Sequence, residues 1–86
     1  MKLANAMRQR ILYLTKLKRN NLKELSRVSN VSYSTLTSFM IGKTRILTLS
    51  TLYDLCNGLE ITLFEFFDDP IFKDVVDEED KEFSKK

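Results

Sequence analysis

Histidine is missing from this 86-residue chain; cysteine and proline occur once each and glycine twice. With no imidazole and a single thiol, Cys56, neither an internal disulfide nor a Cys/His zinc cluster can be assembled. That argues for a reducing compartment and for no metal or cofactor. There is no glycine-rich loop to cradle a phosphate, and no nucleophile–base pair is available, so the sequence nominates no catalytic residue. One proline and two glycines are few for an all-β chain with its many turns, and favour a compact helical bundle. No stretch approaches the roughly 20 apolar residues of a membrane helix, and Met1–Arg8 lacks the apolar run of a signal peptide. The expectation is a cytoplasmic protein with no membrane partner.

Acid is also scarce, but only in one part of the chain. Residues 1–50 hold ten Lys/Arg and one acid, Glu24, hence +9. Residues 51–86 hold four Lys/Arg and eleven Asp/Glu, hence −7. A net charge of +2 therefore hides a positive pole, to which a polyanion would be drawn, and a negative pole that would repel it. The plainer reading, charge for solubility, sits poorly with one acid in fifty residues.

Apolar spacing divides the chain into helices. The first runs from about Leu3 to Lys18, with Met7, Ile11, Leu14 and Leu17 inward and Leu12 and Tyr13 widening the stripe. Arg8, Arg10, Lys16 and Lys18 make the remainder basic. Arg19-Asn20-Asn21 ends it, since Asn tolerates a left-handed turn. Asn21 and Glu24 have the spacing of a capping box opening a second helix, about Leu22–Ser29, with Leu22, Leu25 and Val28 inward. Ser26 is small where two helices could approach closely. Asn30 takes the place of a turn glycine and Val31 is a buried turn residue. Ser32 caps a third helix, about Tyr33–Ile41, stopped by Gly42, with Leu36, Phe39 and Met40 inward.

After the basic loop Lys43–Leu47, a fourth helix runs from Thr48 or Leu49 to Asn57, its apolar stripe formed by Leu49, Leu52, Leu55 and Cys56, which reads as a packed thiol. Thr62 and Glu65 make a capping box for a fifth helix carrying Leu63, Phe66 and Phe67. Asp69-Pro70 could start a short sixth helix over Ile71–Val76. Residues 77–86 form an acidic tail with too little apolar content to fold alone. The domain division is 1–67 for the main body, 68–76 for the short segment and 77–86 for the tail.

The outer face of the third helix carries Tyr33, Ser34, Thr37 and Ser38, with Thr35 at its edge, where an ordinary surface helix would carry Glu and Lys. Small hydrogen-bonding groups flanked by Lys and Arg suit the major groove of DNA.

Joint spacing over about residues 5–67 resembles the Cro and phage-repressor helix-turn-helix family, also called the xenobiotic-response-element (XRE) regulators. The matching residues are Ile11 and Leu14, Leu25-Ser26, Val31-Ser32, Thr35-Leu36, Gly42-Lys43, Leu49 through Leu52, Leu55, Leu59, Ile61-Thr62 and Phe66. The resemblance implies an all-α, compact five-helix bundle of the phage-repressor DNA-binding-domain type, from a prokaryotic cytosol or nucleoid, whose ligand is double-stranded DNA. Position by position, it implies base readout by Ser32, Tyr33, Ser34, Thr37 and Ser38. It implies phosphate contacts by Asn21, Lys23, Lys43, Thr44 and Arg45. From the residues alone, Tyr33 could equally pack over the second helix.

Two departures stand out. Leu22 occupies a position where the family often has a Gln that bridges phosphate and recognition helix. Thr15 and Met40 stand where many relatives bury an Arg–Glu pair, so both partners are lost together, which can be neutral or stabilising because no charge is desolvated.

The leading functional expectation is a transcriptional regulator binding an inverted repeat as a homodimer. The dimer surface would use the fifth helix and Ile71–Val76, unless that segment folds back to complete its own core. The competing expectation is a protein-interaction module, such as an antitoxin, whose acidic C-terminal segment binds a basic partner or covers its own basic face.

Overall fold

Side-chain oxygens open four of the five helices in this computed structural model, which describes residues 1–76. The expectations for the acidic tail, 77–86, lie outside the described residues. Helix α1 spans Leu3–Leu17 and has no side-chain cap. In α2 (Leu22–Ser29) Asn21 accepts from the Glu24 N–H, in α3 (Tyr33–Met40) Ser32 from Thr35, in α4 (Leu49–Leu59) Thr48 from Thr51, and in α5 (Leu63–Phe67) Thr62 from Glu65. Each acceptor satisfies a donor that has no partner inside the helix. Only α5 closes a reciprocal capping box; in α2 the Glu24 carboxylate turns instead to Arg27.

Left-handed residues end the helices: Arg19 (φ 58°), Asn30 (61°), Gly42 (87°) and Glu60 (62°). After α1 it is Arg19, not an Asn, that takes this conformation. The Arg19 and Asn20 N–H groups donate back to the Lys16 and Thr15 carbonyls in a Schellman turn. Asn21 is thereby left extended, with its side chain free to cap α2.

The core gathers Ile11 and Leu14 from α1, Leu25 from α2, Leu36 and Phe39 from α3, Leu52, Leu55, Cys56 and Leu59 from α4, and Phe66 from α5, with Val31 filling the turn. Helix α2 packs against both α3 and α4. Its close approach is at Ser29, not Ser26: a Cβ added at Gly58 of α4 would lie 2.7 Å from the Ser29 Cβ. Ser26 instead donates from its hydroxyl to the Val31 carbonyl (2.5 Å) and fixes the turn.

Several apolar residues expected inside are outside. Leu17 and Leu49 are each more than half exposed, and Leu12, Tyr13, Val28 and Phe67 are also exposed. Helix α1 is covered along a narrower stripe than its sequence suggests, and Thr15 takes the buried place expected for Leu17. Its hydroxyl donates to the Ile11 carbonyl (2.7 Å), so the burial leaves no polar atom unpaired.

The short sixth helix is a single 3-10 turn, Pro70–Phe72, rather than a helix over Ile71–Val76. Beyond it the β-branched pair Val75-Val76 extends and bonds the N-terminus: Leu3 N–H to the Val76 carbonyl (2.8 Å) and Val76 N–H to the Met1 carbonyl (3.0 Å). Phe72 packs against the core and closes an aromatic cluster with Phe66 and Phe67, at centroid distances of 5.8 and 5.0 Å. The fold is all-α, with five helices and no strand longer than this isolated bridge among the described residues.

Candidate nucleic-acid interface

Helix α3 buries Leu36 and Phe39, and this orientation turns Tyr33, Ser34 and Thr35 to solvent, with Thr37 and Ser38 partly covered. The hydroxyls on this face are not equally available. Ser32 is occupied in both directions: its oxygen accepts from the Thr35 N–H (3.0 Å) and its hydroxyl donates to Thr35 Oγ1 (3.2 Å). Thr37 donates to the Tyr33 carbonyl of its own helix (2.9 Å). Ser34 and Ser38 are held in neither arrangement.

Tyr33 is half exposed, and its ring lines a groove with Asn21, Lys23, Glu24, Ser26 and Arg27 of the α2 side. The two placements open to it in the sequence thus coexist: one side of the ring faces α2 while the other remains accessible. The same groove brings Asn21 and Lys23, from the start of α2, beside the start of α3. The Asn21 amide oxygen is committed to its cap, whereas Lys23 is exposed. Glu24, the one acid of the first fifty residues, pairs with Arg27; the guanidinium beside it holds its carboxyl below the usual range. Arg27 is a groove residue that charge counting in the sequence does not single out.

Beyond α3, Lys43, Thr44 and Arg45 are all exposed, and their loop is firmly attached. The Lys43 and Thr44 N–H groups both donate to the Ser38 carbonyl (2.9 and 3.2 Å), ending the helix in a Schellman turn about Gly42. No basic residue lies in the last turn of α3, but Arg8 reaches across from α1. Its Nε donates to the Phe39 carbonyl (2.5 Å), one terminal nitrogen to the Thr44 carbonyl (2.9 Å) and the other to Asn5 Oδ1 (2.8 Å). The guanidinium lies 4.6 Å from the centre of the Phe39 ring. A cation at the carbonyl end of a helix complements the dipole. Arg8 therefore welds helix, loop and α1 together, a role invisible when it is counted as part of a basic surface.

Arg10 does the corresponding work at the end of α5. It donates to the Phe66 carbonyl (2.7 Å) and the Glu65 carbonyl (2.9 Å) of α5 and pairs with Asp69 (3.1 Å). Neither arginine is part of the free positive surface, which includes Lys23, Lys43 and Arg45 flanking α3.

Cys56 is buried, and loss of solvent pushes its thiol up to about 11, so the reactive thiolate is suppressed at neutral pH. Among the described residues no cluster of three or more His, Cys, Asp or Glu could hold a metal ion, and no helix is long and apolar enough to cross a membrane.

The helix–turn–helix formed by α2 and α3, with hydroxyls on the outer face of α3 and lysines at both flanks, has a counterpart among known families. The family model of the Cro/C1-type HTH DNA-binding domain matches residues 10–70. The chain belongs to this family. No curated protein and no solved structure matches it. As a Cro/C1-type domain it is a DNA-binding protein. Its departures from the family pattern have a structural rationale. Leu22 and Met40 pack against the core and the Thr15 hydroxyl is satisfied within α1, so the missing ion pair leaves no buried charge or unpaired polar atom there.

Proposed function

We propose that this chain is a sequence-specific transcriptional regulator that lays α3 in the major groove and binds an inverted-repeat operator as a homodimer. Base edges are read by Tyr33, Ser34, Thr37 and Ser38, with Ser32 holding the helix start against the duplex. Lys23, Lys43 and Arg45, together with Asn21 and Thr44, fix the register on the phosphates and supply the salt-dependent affinity. The observation that carries this reading is the exposed face of Tyr33 and Ser34 between exposed lysines at both ends of the same helix-turn-helix.

Two-fold pairing is argued from economy of contact. One helix of eight residues touches few base pairs, whereas two copies related by a two-fold axis read half-sites about 34 Å apart. Phe64 of α5, 79% exposed, is the large apolar side chain best placed for a second copy; Phe72 is already engaged within its own chain.

Selection of bound duplexes from random DNA tests the reading. The expected result is a motif with two-fold symmetry, whose preference over random sequence is lost when Tyr33, Ser34, Thr37 and Ser38 are all replaced by Ala. Recovery of no motif, or a fourfold variant with unchanged preference, would refute the assignment of α3.

A further inference from the structure

The recognition helix is unusual in what it does not offer. Tyr33–Met40 contains no Arg or Lys for the paired acceptors of guanine, no Asn or Gln for adenine, and no Asp or Glu for the cytosine amine. The remaining groups are further restricted by the bonds already made. The Thr37 hydroxyl is turned back to the Tyr33 carbonyl, which leaves the duplex an oxygen lone pair and the Cγ2 methyl. Ser32 is spent on its cap. The Ser34, Ser38 and Tyr33 hydroxyls can each donate or accept, so they accommodate most bases and discriminate little. What distinguishes this face chemically is apolar: the half-exposed Tyr33 ring and the Thr37 methyl, one helical turn apart. In the major groove one base carries an apolar group of its own, the C5-methyl of thymine.

We infer that this site reads thymine methyl groups: its preferred ligand is duplex DNA whose half-site presents thymine C5-methyls to Tyr33 and Thr37, with Ser34 and Ser38 adding tolerant hydrogen bonds. The inference rests on α3 being the recognition helix and adds the chemical class of what that helix recognises. Burying one methyl between protein and base removes it from water, which is worth about fourfold in affinity per contact.

Replacing thymine by deoxyuridine removes that methyl and leaves the pairing edge unchanged. The test compares the selected duplex with its deoxyuridine counterparts, one thymine at a time, by fluorescence anisotropy with the full chain. The expected outcome is a loss of about fourfold at each contacted thymine. Thr37→Ser keeps the hydroxyl and its bond to the helix but deletes Cγ2. This variant should bind the thymine duplex about fourfold more weakly and no longer distinguish uracil from thymine at one position. Equal affinity for thymine and uracil duplexes at every position, or a selected half-site without thymine, would overturn the inference while leaving sequence-specific binding intact. A chain that prefers no sequence at all would remove both this inference and the function on which it rests.

Discussion

Helices α3 and α5 are built on one plan and put to opposite uses. Each is short, begins at a hydroxyl cap (Ser32, Thr62) and ends with a terminal carbonyl gripped by an arginine of α1. Arg8 and Arg10 stand two residues apart and diverge, one to Phe39 and one to Phe66. The two ends differ in the charge of the chain beyond each helix. After α3 come Lys43 and Arg45, exposed, with no acid among the groups that Arg8 bonds. After α5 come Asp68 and Asp69, and Asp69 neutralises Arg10 while the chain turns back onto α1. The same anchor thus leaves one loop positive and available and folds the other into the body. Under the proposed function, charge near an anchor, more than the anchor itself, decides which end meets the DNA.

The largest expected effect comes from breaking the closed end. Arg10→Met removes one partner of a pair whose arginine side chain is only 10% exposed. It leaves Asp69 and two carbonyls without their donor and should cost about 3 kcal/mol, with thermal unfolding lowered by about 15 °C. DNA affinity of the folded fraction should not change. A selective loss of DNA binding at unchanged stability would erase the distinction between the two ends.

The open end responds in binding and not in stability. Lys43→Ala with Arg45→Ala should leave the melting temperature nearly unchanged, because both side chains are exposed. Affinity for all duplexes should fall on the order of a hundredfold, and the slope of log K against log salt should shrink by about two. Binding that falls only on the preferred sequence would show that these residues read bases instead of phosphates.

Arg8→Lys sharpens the contrast because charge is kept. An ammonium cannot span the Phe39 and Thr44 carbonyls and Asn5 together, nor stack as a flat group on Phe39. The loop should loosen, seen as faster exchange of the Lys43 and Thr44 amides, and specific affinity should drop by about tenfold. The salt slope should hold, and unchanged exchange would show that the loop does not depend on this arginine.

How much of the molecule is legible in the sequence depends on the range of the interactions. Caps involve residues three apart, so Asn21, Ser32, Thr62 with Glu65, and the left-handed Asn30 are all visible as local chemistry. Helical spacing likewise locates the five helices and most of the core. The arginine anchors reach across 31 to 59 positions, and nothing in the neighbourhood of Arg8 or Arg10 marks them as partly buried donors. The contact of Ser29 with Gly58 escapes for the same reason: Ser26 is equally small, and only the angle between α2 and α4 chooses between them. For the interface, the hydroxyl face of α3 and the Ser32 cap are evident from spacing, whereas the diversion of the Thr37 hydroxyl to the Tyr33 carbonyl is not. Val75 and Val76 show a further limit: the start at Asp69-Pro70 forms, but the helix does not continue to Val76, which pairs with the N-terminus instead.

The smallest effect separates the two helices most cleanly because the perturbation is the same on each. Thr62→Ala and Ser32→Ala both delete an N-cap oxygen at an exposed helix start, and each should cost about 1 kcal/mol of stability. With matched stabilities, any difference in DNA binding reports where the duplex lies. Thr62 caps the helix that turns away from the basic surface, so its loss should leave affinity within about twofold. Ser32 sets the first turn of α3, which the proposed docking brings to the duplex with its free N–H groups and positive dipole end, so its loss should weaken specific binding several-fold. Equal responses in a titration of both variants would mean that DNA does not meet the molecule at the start of α3, whatever charges lie nearby.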